Sequence, residues 1–151
     1  ADAPLYACAP LALGLLACAR GGVSEEDVVL LLGVTRSQWA VTFLHISPLL
    51  SPPHLSEGVL CFFHPCIAAH ALHLCAPRPE QQQDMHRRLA THFQRVADPR
   101  LDHTYPCATP SLLGDLAHHL AMSGDVSLAA GTLASLPFLQ ACARVGLVHT
   151  L

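Results

Sequence analysis

Imidazole and thiol side chains carry most of the potential chemistry in this chain, which has eleven histidines and seven cysteines among 151 residues. The densest run is Cys61, His64, Cys66, His70, His73 and Cys75. Thiolate and imidazole ligands close tetrahedral zinc sites when four of them converge. The spacing here opposes convergence. Cys61 lies in a short apolar run that reads as a strand, whereas Cys66 to Cys75 follow one helix. Cys66 and His70 share a face of that helix, as do His70 and His73, but no paired C-x-x-C supplies the rest of a ligand set. No metal is expected in this run, and metal analysis of the purified chain is the check.

Asp115, His118 and His119 could be drawn as an acid–base constellation. Successive residues on a helix point about 100° apart, so one imidazole is expected to be buried and the other solvated. Cys107 and His103 fall in a proline-rich stretch, without an Asn or Asp that the sequence can place to orient a Cys–His nucleophile. Phosphate chemistry has no support either. No G-x-x-x-x-G-K-[ST] is present, and all eight basic residues are arginine, so a P-loop lysine is absent from this segment. No catalytic residue is assigned, and the chain is not expected to be an enzyme in its own right.

Composition points the same way. Hydrophobic residues make up 52% and charged residues 13%, against roughly 25% charged in ordinary soluble domains. That apolar excess predicts a unit that leans on neighbouring domains. The early uncharged stretch from Tyr6 to Ala19 is shorter than the roughly 20 residues of a membrane-spanning helix. A secretory leader would need a basic start, and Asp2 is the one charge before Arg20. The chain begins without an initiator Met, as a fragment would. An odd number of cysteines set among Ala and Leu reads as reduced thiols and a cytoplasmic location. Eight scattered arginines do not form a phosphate-backbone footprint, so nucleic acid is not an expected partner.

The elements that must position these groups follow from periodicity and punctuation. Pro4 and Pro10 bracket an initial turn. A helix carrying Leu11, Leu15, Leu16 and Ala19 then stops at Gly21-Gly22. Ser24 caps a second helix that opens with Glu25, Glu26 and Asp27, buries Val28, Leu31 and Leu32, and closes at Gly33. Thr35 or Ser37 caps a third helix with Trp39, Phe43, Leu44 and Ile46. The runs Ile46–Leu50 and Val59–Phe63, around a loop with Pro52 and Pro53, suit a β-hairpin. Ile67, Ala71 and Leu74 mark the face of a helix starting near Pro65. Past Ala76–Pro79, a long helix from about Glu80 to Val96 buries Met85, Leu89 and Phe93. A loop over 98–110 leads to helices at Ser111–Met122, Val126–Ala134 and Leu136–Val145. The fold expected is mainly α: a winged-helix lobe with a short β-hairpin over residues 1–76, then a small helical bundle over 77–151 that continues toward further repeats.

This order of elements resembles the winged-helix and following helical region of NACHT and related STAND-class regulatory ATPases. Leu13 to Val28 resembles the start of that winged helix, with a first helix ending in Gly and a second opening on a Ser-Glu-Glu triplet. Cys61-Phe62-Phe63-His64-Pro65 is similar to the corner where a strand delivers a His to a helix start, with Pro65 where the class often carries an acidic or polar residue. Asp84 to Phe93 resembles the His-Arg-x-Leu-Ala helix of the class. Leu116 to Asp125 is similar to the His-Leu-x-x-Ala-Gly-Asp segment before the repeats.

The resemblance implies a regulatory module that packs on an adjacent nucleotide-binding domain and couples ADP or ATP, bound by the parent protein, to C-terminal repeats. It implies that His64 reaches the β-phosphate of ADP in the resting state, and that amides at the start of the Pro65 helix point toward the same anion. Read from its own surroundings, His64 is instead a helix-capping or surface histidine. Three other readings compete: a constitutive interaction scaffold without nucleotide sensing, a DNA-binding winged helix, and a zinc-binding domain. The DNA reading would rest on outward positions Arg36, Ser37, Gln38, Thr42 and His45, which hold one formal positive charge.

Overall fold

The computed structural model describes residues 8–52 and 58–147. The turn expected at Pro4, and Pro53 in the expected hairpin loop, lie outside the described residues. The chain is mainly helical with one two-stranded antiparallel sheet. It divides into two compact units, Ala1–Gln82 and Gln83–Leu151. The division therefore falls inside a helix, α5 (Pro79–Ala97), rather than at Ala76.

In the first unit, α1 (Ala9–Cys18) carries Pro10 in its opening turn, where a missing N–H is tolerated, and buries Ala12, Leu15, Leu16 and Cys18. Gly22 then takes a left-handed backbone with φ 82°, and a Cβ there would lie 2.9 Å from the Leu60 carbonyl oxygen. Only glycine fits both demands. That close approach seats β1 (Val23–Ser24) beside β2 (Val59–Leu60), with Val23 opposite Leu60 and Ser24 opposite Val59. Val23 and Leu60 are both buried.

Ser24 caps α2 (Glu25–Leu32) by accepting from the Asp27 amide at 3.1 Å, and Gly33 closes it in the left-handed conformation with φ 64°. Thr35 and Gln38 form a reciprocal capping box at the start of α3 (Arg36–Ile46). Trp39 is buried, and its indole N–H donates to Glu25 of α2 at 2.9 Å. Of the outward positions proposed for α3, Thr42 is instead fully buried, with its hydroxyl beside Cys8 Sγ at 2.9 Å, and Arg36 pairs with Glu26 at 3.0 Å.

The expected hairpin takes a different form. Ile46 ends α3, and Ser47–Leu49 is a 3-10 turn closed by the Leu50 amide on the Ser47 carbonyl. Pro48 explains the difference, because its fixed φ and missing N–H suit a tight turn and not a ladder. Among the described residues it leaves one antiparallel bridge, Leu50 to Phe62, flanked by bonds from Ser51 N to Cys61 O and from Phe63 N to Leu49 O. The regular pairing of β2 is with β1. After that corner α4 (Pro65–Cys75) packs on α1. Ala71 is buried, whereas Leu74, expected on the same face, is exposed in the last turn of α4.

In the second unit, α5 buries Met85, His86, Leu89, Ala90, Phe93 and Ala97, a stripe at three- and four-residue spacing. Residues 98–109 form an ordered loop. Leu101, His103 and Tyr105 all have left-handed backbones, with φ of 53°, 64° and 49°, each costing on the order of 1 kcal/mol. Three contacts hold them. Buried Asp98 accepts from the His103 amide at 2.7 Å, Tyr105 packs edge-on against Phe138, and Arg144 donates to the Thr104 and Tyr105 carbonyls at 3.2 and 2.8 Å. Thr109, Asp125 and Ser135 then cap α6 (Pro110–Met122), α7 (Val126–Leu133) and α8 (Leu136–Arg144). The inward residues are Leu113, Leu116, His119 and Leu120 of α6, with Phe138, Ala141 and Cys142 of α8. Among the described residues no single helix is both long and apolar enough to cross a membrane.

Candidate functional site

His64 stands where β2 hands the chain to α4, in an extended conformation (φ −144°, ψ 136°), as the N-cap of that helix. Its Nδ1 accepts from the Cys66 amide at 3.1 Å, and its carbonyl accepts from Ile67 N at 3.0 Å. Pro65 fits the first helical position because it has no amide to satisfy. With Nδ1 acting as acceptor, the proton of the neutral ring sits on Nε2. The ring is exposed, so Nε2–H is a donor presented at the corner. The amides expected to point at an anion are differently employed: Pro65 has none, and those of Cys66 and Ile67 bond back to His64.

The rest of the thiol–imidazole run does not gather. His70 and His73 are exposed on α4, Cys66 is exposed at its start, and Cys75 is half-buried, its thiol pushed up by burial. His103 and Cys107 occupy the ordered loop, where the His103 backbone, not its ring, meets Asp98. Arg87 and Arg88 both reach Asp84, at 3.4 and 2.8 Å, and remain about half exposed.

Three imidazoles do converge in the second unit. His86 of α5 and His118 and His119 of α6 offer ligand nitrogens that all lie within 4.8 Å of one another, and they are the one such group of three among the described residues. His86 Nδ1 and His119 Nδ1 are 2.8 Å apart, a hydrogen bond in which one ring donates and the other accepts. The ring centroids of His86 lie 5.6 Å from His118 and 5.1 Å from His119, and Phe93 stacks on His119 at 5.5 Å. His119 is fully buried, His86 nearly so, and His118 half-buried. Burial, and then the neighbouring His118, hold the His86 imidazole below its usual pKa. That shift favours the neutral form of His86, and a neutral imidazole is the form that binds transition metals.

Helix geometry alone predicts one buried and one solvated ring for His118 and His119; His119 is buried and His118 is half-buried. Both rings nevertheless come within reach of one third ring, at centroid distances of 5.6 Å for His118 and 5.1 Å for His119. His86 supplies that ring. Its place in the buried stripe of α5, one residue after Met85 and three before Leu89, was the available signal. Pairing it with residues 32 and 33 positions away required the fold.

A cavity of about 290 Å³ opens elsewhere in this unit, lined by Ala90, Gln94, Arg95, Leu101 and Leu128 among others. Its volume matches the lower end of small-ligand pockets. No protein-family model, curated protein or solved structure matches this chain.

Proposed function

We propose that this chain is a non-catalytic regulatory module of a larger STAND-type NTPase. Its first unit is a winged-helix lobe that packs on the nucleotide-binding domain, and its second passes the nucleotide state to downstream repeats. The observation that carries the reading is the order α1–β1–α2–α3–β2 in the first unit. β1, between the first and second helices, pairs with β2, and Leu50 bridges Phe62; in this reading Leu50 and Phe62 edge the wing. His64 follows directly, with Nε2–H outward as a donor for the β-phosphate of ADP held by the parent protein. Exposed Leu30, Leu44, Phe63 and Leu74 in the first unit, and Val126, Leu128 and Leu136 in the second, supply apolar surface for flanking domains and repeats. A switch of this kind needs a ligand that distinguishes two packings.

A second reading, a constitutive protein-interaction scaffold without nucleotide sensing, is favoured by one detail. The Cys66 amide is occupied by the cap and Pro65 has no amide, so the start of α4 offers an anion less than a free helix terminus would. The deciding experiment measures ADP and ATP affinity of the parent protein, including the domain N-terminal to this segment, with His64 intact and as His64→Ala. Selective loss of ADP binding supports the sensing module. Equal binding in both proteins supports the scaffold.

A further inference from the structure

We propose that His86, His118 and His119 form a three-imidazole site for one divalent transition ion of the zinc class, joining α5 to α6. The ligand set is geometric before it is chemical. Three nitrogens from two helices lie within 4.8 Å of one another, and two of the three rings are buried. Phe93, stacked on His119, restrains one ligand's orientation. Imidazole nitrogen suits zinc, and three histidines leave a fourth tetrahedral position open. His118 is the half-buried ligand of the three, the one with access to solvent.

Binding replaces the His86–His119 hydrogen bond. Two nitrogens on one tetrahedral zinc, each at about 2.0–2.1 Å, sit roughly 3.3 Å apart. The present 2.8 Å must therefore open by about half an ångström, a movement within reach of side-chain torsions. The proton of that hydrogen bond moves from Nδ1 to Nε2 of its own neutral ring, and each Nδ1 then donates one lone pair to the ion. No redox change is involved. The competing account is a purely structural pair of hydrogen-bonded histidines in a helical core, with no affinity for metal.

Zinc titrated into the metal-stripped chain, with bound metal measured by elemental analysis, separates the two. The expected result is one zinc per chain and a Tm that rises with zinc concentration. His118→Ala, at the half-buried position, should keep the helical circular dichroism. It should lose more zinc affinity than the roughly 10–100-fold that removal of an outer-shell partner costs. The double variant His70→Ala/His73→Ala, which deletes the exposed pair on α4, should bind as the original does. Cobalt gives a readout independent of any variant's folding: its spectrum should show nitrogen ligation without a thiolate charge-transfer band. Absence of stoichiometric binding overturns the proposal. So does a thiolate band, or binding that survives His118→Ala and disappears with the α4 pair.

Discussion

The indole N–H of Trp39, on α3, donates to the Glu25 carboxylate in the first turn of α2 at 2.9 Å, across the Gly33 turn. Trp39 is almost wholly buried, so its one polar atom depends on that acceptor. Glu25→Ala should lower unfolding free energy by about 1–3 kcal/mol, the cost of stranding a buried donor. Glu25→Gln retains a carbonyl acceptor at the same reach and should lose less than half as much. Urea denaturation of the two variants checks this. Equal losses would mean that the carboxylate serves the helix dipole and not the indole.

Gly22 joins α1 to the sheet through two independent constraints, a φ of 82° and a prospective Cβ at 2.9 Å from the Leu60 carbonyl oxygen. Gly22→Ala meets both penalties, and the close neighbour is backbone that cannot turn aside. A loss of about 2–3 kcal/mol is expected, with faster amide exchange at residues 23–24 and 59–60. Gly33→Ala is the useful contrast. Gly33 shares the positive φ but meets nothing within 4 Å, so its cost should be the conformational part alone, about 1 kcal/mol.

Burial pushes the Cys18 thiol up from an ordinary value of 9.0 to about 11. The folded protein keeps this thiol protonated where the unfolded chain ionises it. The resulting stability is complete below pH 9 and is lost as pH rises toward 11. The loss from this group should reach on the order of 2 kcal/mol. Cys18→Ala should flatten that part of the stability–pH curve. At pH 8, exposed Cys66 and Cys107 should alkylate long before Cys18 does, as peptide mass spectrometry would show.

Features decided within a few residues were readable from sequence: the Ser24 and Thr35 caps, the Gly33 stop, and the Met85, Leu89 and Phe93 stripe all lie where local chemistry places them. Features decided across the chain were not. β1 is two residues long, too short for any alternation, and exists because Gly22 lets it approach Val59–Leu60. The stretch 98–110 reads only as a loop, from its prolines. Yet its left-handed residues are held by Asp98, Phe138 and Arg144, the last 39 positions from Tyr105. The imidazole cluster failed to emerge for the same reason. Its sequence signal was split between one histidine in a charged helix and two in an apolar one, and only packing of α5 beside α6 unites them.

His64 has one observed role and one proposed role, and substitutions can separate them. As N-cap it holds the Cys66 amide through Nδ1, and as a candidate phosphate donor it would act through Nε2. His64→Ala removes both and should cost about 0.5–2 kcal/mol through the lost cap. His64→Ser restores a capping oxygen but is too short to extend beyond the corner, so stability should return to near the original. If His64 senses nucleotide, His64→Ser should still lose ADP preference in the parent protein, just as His64→Ala does. Calorimetric ADP binding alongside thermal unfolding gives both quantities on the same samples. Recovery of ADP affinity together with stability in His64→Ser would make His64 a cap alone, and the scaffold reading would take its place.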